Sequence, residues 1–250
     1  MFRMLKLNPP NGWRAVAWEL AIVTAGVLIA LAVQQWAEQR SWNDRRGDAT
    51  EAFREEMKGH YFYAVEWRVA YPCMKAQLEQ LERRLVASKD VNDPAPAYSI
   101  GGVDKTVLRF PLKDLVSSAW QSAVNDGLLI HFDQKTRTDL SVYYHIMGQL
   151  GPMAWMISGI RTDLKGLSRP VPLDASTRSV FLRSIDQFDD QARLMDQGFG
   201  EAIFLINKLG MTPDAGATRA EVERWGTIKF CKANDLPIRT YEVAMKGTSR

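Results

Sequence analysis

Apolar positions crowd the start of the chain and then thin into stripes. From Ala15 to Trp36 the sequence reads AVAWELAIVTAGVLIALAVQQW, 22 residues with Glu19 as the one charge. A helix of that length covers roughly 33 Å at ~1.5 Å per residue, close to the thickness of a hydrocarbon core. Trp13 and Trp18 flank one end and Trp36 the other, where amphipathic rings favour the headgroup layer. The pattern predicts a transmembrane helix over 15–36 behind a short tail, 1–14, with Asn8-Pro9-Pro10 closing the tail and Asn11 capping the helix. Ala30-Leu31-Ala32 also matches the small-residue site of a cleaved signal peptide. The helical pattern nevertheless runs on through Gln34 without turn-forming residues, which favours an uncleaved anchor.

Beyond the anchor the period stays helical. Trp42, Ala49, Phe53, Met57, Tyr61, Ala64, Trp67 and Tyr71 form one stripe, with Pro72 expected to kink or end the helix near Val69. Leu78, Leu81 and Leu85 add a further turn set, and 88–110 reads as the one long connection. Pro111 suits the first turn of a helix that buries Leu115, Ala119, Trp120 and Ala123 and stops at Asn125-Asp126-Gly127. Asp133 then opens a helix striped by Leu140, Tyr143, Met147, Leu150, Ala154, Ile157, Ile160 and Leu164, with a bend expected at Gly151-Pro152. After the break at 169–172, apolar residues from Phe181 to Leu209 recur every three or four positions, and Gly210 ends that seam. Thr218-Arg219-Ala220-Glu221 reads as a capping box for a last helix carrying Val222, Trp225 and Ile228. Period-two alternation is confined to short runs near Val107 to Phe110. The expected fold is all-α: one N-terminal transmembrane helix followed by an antiparallel helical bundle over 37–232, with an irregular C-terminal tail, 233–250.

Charge sets the partners. The net charge is only +3, and Arg3, Lys6 and Arg14 stand against Glu19 in the first 36 residues, so little basic excess remains for a nucleic-acid footprint. The positive-inside count on the two sides of the anchor is a tie. Cys73 and Cys231 both follow the anchor, which suits an oxidising compartment. The expected topology is therefore a short cytoplasmic tail, an inner-membrane anchor and a periplasmic bundle. Cys73, placed just past the Pro72 break, and Cys231, on the last helix, are expected to form a disulfide, with two free buried thiols as the alternative.

Within the anchor, Ala17, Ala21 and Ala25 repeat every four residues, and Gly26 and Ala30 repeat the spacing beside them. Small residues at that interval let a partner helix approach closely. The expected partners are the lipid bilayer and, through this face, another integral membrane protein or a second copy. Catalytic chemistry has no foothold: His60, His131 and His145 fall in no metal-ligand spacing, and Gly101-Gly102-Val103-Asp104-Lys105-Thr106 carries Asp104 where a phosphate loop needs glycine. Glu55-Glu56 and Asp189-Asp190 read as solvated faces. Trp120, Trp155 and Trp225 could line a pocket but read more readily as core. No catalytic residue, metal or cofactor is expected. The functional expectation is a non-enzymatic accessory or assembly subunit; the alternative is an extracytoplasmic ligand-binding sensor domain signalling through a partner.

The run from Gly26 through Gln35-Trp36-Ala37-Glu38 to Arg40, followed by Trp42-Asn43-Asp44-Arg45-Arg46, resembles an uncharacterised family of bacterial single-pass membrane proteins. Ala119-Trp120-Gln121-Ser122-Ala123 with Gly127-Leu128, and then Tyr143-Tyr144, is similar to a second patch in that group. Gln35-Trp36-Ala37-Glu38 replaces the asparagines usual there. The resemblance implies an N-terminal anchor and a helical extracytoplasmic region, without an activity, a cofactor or a catalytic residue.

Overall fold

A computed structural model describes residues 12–100 and 104–248. The predicted tail closure and Asn11 cap, the glycines 101–102 and the last two residues lie outside the described residues. Seven helices and one two-stranded hairpin are found among them, an all-α fold with a long N-terminal helix and a helical bundle.

The first helix, α1, runs Gly12–Ala87. The chain divides into two units at Ala49 and Thr50. In the first unit α1 is exposed on every side from Val16 to Gln39, including Leu20, Ile22, Val23, Leu28, Ile29 and Val33. It is long and apolar enough to cross a membrane, with an 18-residue window of mean hydropathy 2.3, none of it buried.

In the second unit the same helix becomes the core. Phe53 and Met57 are buried on one side, but from His60 to Ala70 every residue except Phe62 is buried. A helix apolar on all faces needs neighbours on all faces, so the expected single stripe is here a full coat. The coat is aromatic: Trp67 stands 5.8 Å from Phe199 and 6.2 Å from Phe110, and Tyr63 5.2 Å from Phe199 (ring centroids). Pro72 does not end α1, which continues to Ala87. Proline lacks the N–H that would bond the Arg68 carbonyl, and the next carbonyl, that of Val69, accepts the Arg239 N–H at 3.0 Å from the far end of the chain.

Among the described residues of 88–117, regular structure is confined to β1 (Tyr98–Ile100) and β2 (Asp104–Thr106), paired antiparallel, and a bridge from Val91 to Pro172. The helix expected from Pro111 begins only at Ser118, as α2 (Ser118–Asn125). The segment before it is held extended by α1: the Gln77 amide donates to the Arg109 carbonyl (3.0 Å) and its oxygen accepts the Arg109 N–H (2.8 Å). The expected stop holds, with Gly127 at φ 65°.

Asp133 caps α3 (Gln134–Leu164) by accepting the Thr136 N–H, and Asp174 caps α4 (Ala175–Lys208) through Thr177. The two helices pack antiparallel: Lys208 meets Asp139 at one end, Leu150 lies against Gly198 in the middle, and Phe181 lies against Gly166 at the other end. The expected capping box is displaced. Asp214 is the N-cap of α5 (Ala215–Arg224), and Thr218 is buried one turn inside it. Trp225, extended at φ −81° and ψ 147°, separates α5 from α6 (Gly226–Ala233), so the expected last helix is two. Nor is the tail irregular throughout: Thr240 caps α7 (Tyr241–Met245), whose Tyr241 and Ala244 are buried.

Candidate functional site

Three groups of expected residues can now be located. Ala17, Ala21, Ala25, Gly26 and Ala30 lie on the exposed part of α1, and a side-chain carbon added at Gly26 would meet nothing within 4 Å. Cys73 and Cys231 are brought together as a disulfide, Cα to Cα 6.0 Å, both fully buried. The bond ties the last quarter of an unbroken α1 to α6, rather than a turn after α1 as expected. Of the three tryptophans read as core, Trp155 is 62% exposed, Trp120 is half-buried, and Trp225 borders a cleft.

That cleft is the most chemically loaded place among the described residues. It has a volume of about 350 Å³ and lies between one face of α1 (Glu56, His60, Tyr63), the extended residues 113–116, and Trp225. Glu56, read as solvated, is committed. One carboxylate oxygen accepts the Tyr144 hydroxyl (2.7 Å), and the other accepts the Ser118 hydroxyl (3.1 Å) and the Ala119 N–H (3.0 Å). It thereby satisfies the start of α2, which has no side-chain cap of its own. Trp120 stacks on Tyr144 at 5.0 Å, so residues of the second resembling patch meet in space.

His60 is buried beside them, its Nδ1 2.7 Å from the Tyr143 hydroxyl, with a backbone hydrogen bond to Val116. Burial lowers its pKa, against the pull of Glu56. The neutral ring fits both partners, donating to the Val116 backbone and accepting from Tyr143. Such an imidazole is a structural connector.

Deeper along α1, Glu66 is 2% exposed. Burial pushes its carboxyl up to about 7, opposed by Lys113, Thr227 and Arg109. Burial likewise brings the Lys113 ammonium down to about 8, opposed by Glu66 and Glu221. The Lys113 Nζ lies over the face of the Trp225 indole. Tyr63 forms a wall, its hydroxyl donating to the Pro111 carbonyl at 3.4 Å. No group of three or more His, Cys, Asp or Glu side chains able to hold a metal occurs among the described residues. What the cleft offers is the rings of Tyr63 and Trp225, the Lys113 ammonium, and the carboxylates of Glu55, Glu56 and Asp114 along its lining.

Sequence reasoning missed Glu66 and Lys113. Glu66 did carry a signal: with Arg68 it interrupts the apolar run Ala64 to Ala70. A charge inside a run that must be buried marks an interior group whose ionisation burial opposes. Lys113, in an extended segment, carried none.

Comparison with known proteins finds no matching family model, curated protein or solved structure.

Proposed function

We propose that this chain is a non-enzymatic, membrane-anchored interaction protein, an accessory or assembly subunit of a larger membrane complex in the bacterial inner membrane. Residues 15–36 form the anchor, and residues 37–250 stand in the periplasm. The observation that carries this reading is the stretch of α1 whose large apolar residues are all exposed, while further along the same helix residues 60–70 are buried apart from Phe62. Bare apolar surface of that extent calls for lipid or another protein. Ala17, Ala21, Ala25, Gly26 and Ala30 supply a face low enough for a second helix, either another integral membrane protein or a second copy. The resemblance noted above implies the same topology.

Purification in mild detergent tests the partner: a stoichiometric companion supports the proposal, and a lone monomer overturns it. Orientation has its own test. Protease added to spheroplasts should remove the bundle and leave a small anchored fragment, whereas a fully protected bundle reverses the topology.

A second reading, a ligand-binding sensor domain signalling through a partner, draws on one observation, the cleft at Trp225. A ligand that altered recovery of the membrane companion would favour it.

A further inference from the structure

We propose that His60 is an acid-sensitive latch: on taking up a second proton it releases residues 113–125, which are α2 and the approach to it, and uncovers the aromatic patch beneath Trp120. The latch lies within the bundle and stands whether or not the anchor takes a partner.

The released element hangs from few points. In α2 only Ala123 is fully buried, the helix has no side-chain cap of its own, and it is reached through residues 111–117, which form no regular structure. Its start is held by Glu56, which accepts the Ser118 hydroxyl and the Ala119 N–H. Its Trp120 lies on Tyr144 and against Phe53, with ring centroids 5.0 and 6.5 Å apart. Short elements with few buried contacts are the first to open.

His60 stands behind these bonds. It is buried on α1 one turn after Glu56, lines the same cleft as Val116, and holds the Tyr143 hydroxyl at Nδ1, 2.7 Å away. That hydroxyl belongs to a fully buried side chain and has no other hydrogen-bond partner among the described residues. In a neutral imidazole one nitrogen accepts and the other donates, whereas in the charged ring both donate. A proton arriving at Nδ1 therefore meets the Tyr143 O–H head-on. The hydroxyl can turn its hydrogen only into an interior without an acceptor, and an unmade buried bond of that kind is costly. The ring escapes by leaving its slot for the cleft, and its bond to the Val116 backbone goes with it. The new charge also draws the Glu56 carboxylate, at the favourable i to i+4 spacing, away from Ser118 and Ala119. Both losses fall on the segment that leads into α2.

The groups around the ring leave this direction intact. On α1, Glu55, Glu56 and Tyr63 border the cleft, and Lys58 pairs with Glu55. Residues 113–116 contribute Lys113 and Asp114, and α3 contributes Tyr143 and Tyr144. Three carboxylates against two ammonium groups welcome a charged ring that has reached water. Burial opposes the same charge while the ring is in place, so the latched ring takes its second proton less readily than the freed one. The latch is at full strength above 6.5 and weakens as the pH falls toward the lowered folded value. Glu66, buried further along α1, gains its proton in the same range with the opposite sign, and comparison with a chain lacking only His60 removes it.

The test is hydrogen exchange of the full chain in an uncharged maltoside detergent at pH 7.5, 6.5, 5.5 and 5.0. Each peptide's rate is divided by the intrinsic rate at that pH. In the native chain, opening of residues 113–125 should rise about tenfold between pH 7.5 and 5.0, each pH unit below 6.5 being worth up to about tenfold. Residues 185–206 of α4 should stay unchanged. His60→Gln, whose amide keeps a donor and an acceptor and takes no proton, should show no rise. A native chain without the rise overturns the proposal, as does an equal rise in His60→Gln or across α4. If His60→Gln fails to fold, nuclear magnetic resonance of the native chain labelled at histidine decides, with His131→Gln and His145→Gln assigning the signals. A His60 titration with the same midpoint as the opening of residues 113–125 supports the latch, and an opening that departs from that titration sinks it.

Discussion

At the scale of single residues, the Glu66–Lys113 pair makes stability depend on pH around neutrality. The folded Glu66 carboxyl titrates at about 7, above its ordinary 4.5, so folding favours its protonated form. Its contribution to stability is fully present below 4.5 and is lost as the pH rises through about 7. Lys113, lowered from 10.5 to about 8, contributes stability above 10.5 that is lost as the pH falls through 8. Between about 7 and 8 neither contributes. His60, lowered by burial, acts in the opposite direction on acidification, so native and Glu66→Gln chains must be compared across the range. The expected outcome is that Glu66→Gln is most stabilising relative to native near pH 8, and that its advantage shrinks toward pH 5 by at most about 1.4 kcal/mol per pH unit. Urea unfolding at pH 5, 6, 7 and 8 measures this; a constant difference contradicts it. Glu66 was passed over in the sequence, although it stands as a charge inside an apolar run, and Lys113, which acts on it from a segment without periodicity, could not have been reached.

At the scale of elements, some starts and stops with local causes were legible, and those with distant causes were not. Asp133 caps α3 through a residue three positions on, and Gly127 ends α2 through its own backbone. Both can be read from a few neighbouring letters. The beginning of α2, by contrast, is set by Glu56 on another helix, and α1 passes through Pro72 to end only at Ala87. A tripeptide around Pro111 or Pro72 contains neither fact. Glu56→Ala removes a cap and leaves the Tyr144 hydroxyl without its acceptor. A cap is worth about 1 kcal/mol and a hydrogen bond to a charged group about 1.5–3 kcal/mol. Glu56→Ala is expected to lower stability by roughly 2.5–4 kcal/mol, with amide exchange accelerated most in α2, and Glu56→Gln by less. Equal acceleration throughout the bundle would show that Glu56 does not set this end.

At the scale of the whole molecule, the hydrophobic pattern distinguished an exposed apolar stretch from striped helices and so led to an all-α chain with one candidate membrane helix. What it could not give was which helix is central, since a stripe and a full coat differ only in what packs on the remaining faces. Trp67, Val69 and Ala70 look like ordinary stripe neighbours until α4 and the C-terminal segment cover them. The disulfide holds that arrangement. It closes a loop of 158 residues, for which the chain-entropy relation gives about 5 kcal/mol as an upper figure. Replacing both cysteines by alanine should lower unfolding free energy by a few kcal/mol toward that figure, read by denaturant titration against the oxidised native chain. Alkylation of denatured, unreduced native protein should label no thiol; two labelled thiols per chain would refute the bond.

The same bond has a timetable. Synthesis runs from the N-terminus, so Cys73 is made 158 residues before its partner. At about 5–20 residues per second the interval is roughly 8–30 s. During it the Val69 carbonyl also waits for Arg239, so the most enclosed stretch of α1 is finished by the last tenth of the chain. An oxidant acting in that interval meets a lone thiol. With only two cysteines in the sequence, an early mistake cannot scramble within one molecule. It can only join Cys73 to a thiol outside the chain, and where two unfinished chains meet, the signature of hurried oxidation would be a Cys73–Cys73 dimer that reductant dissolves.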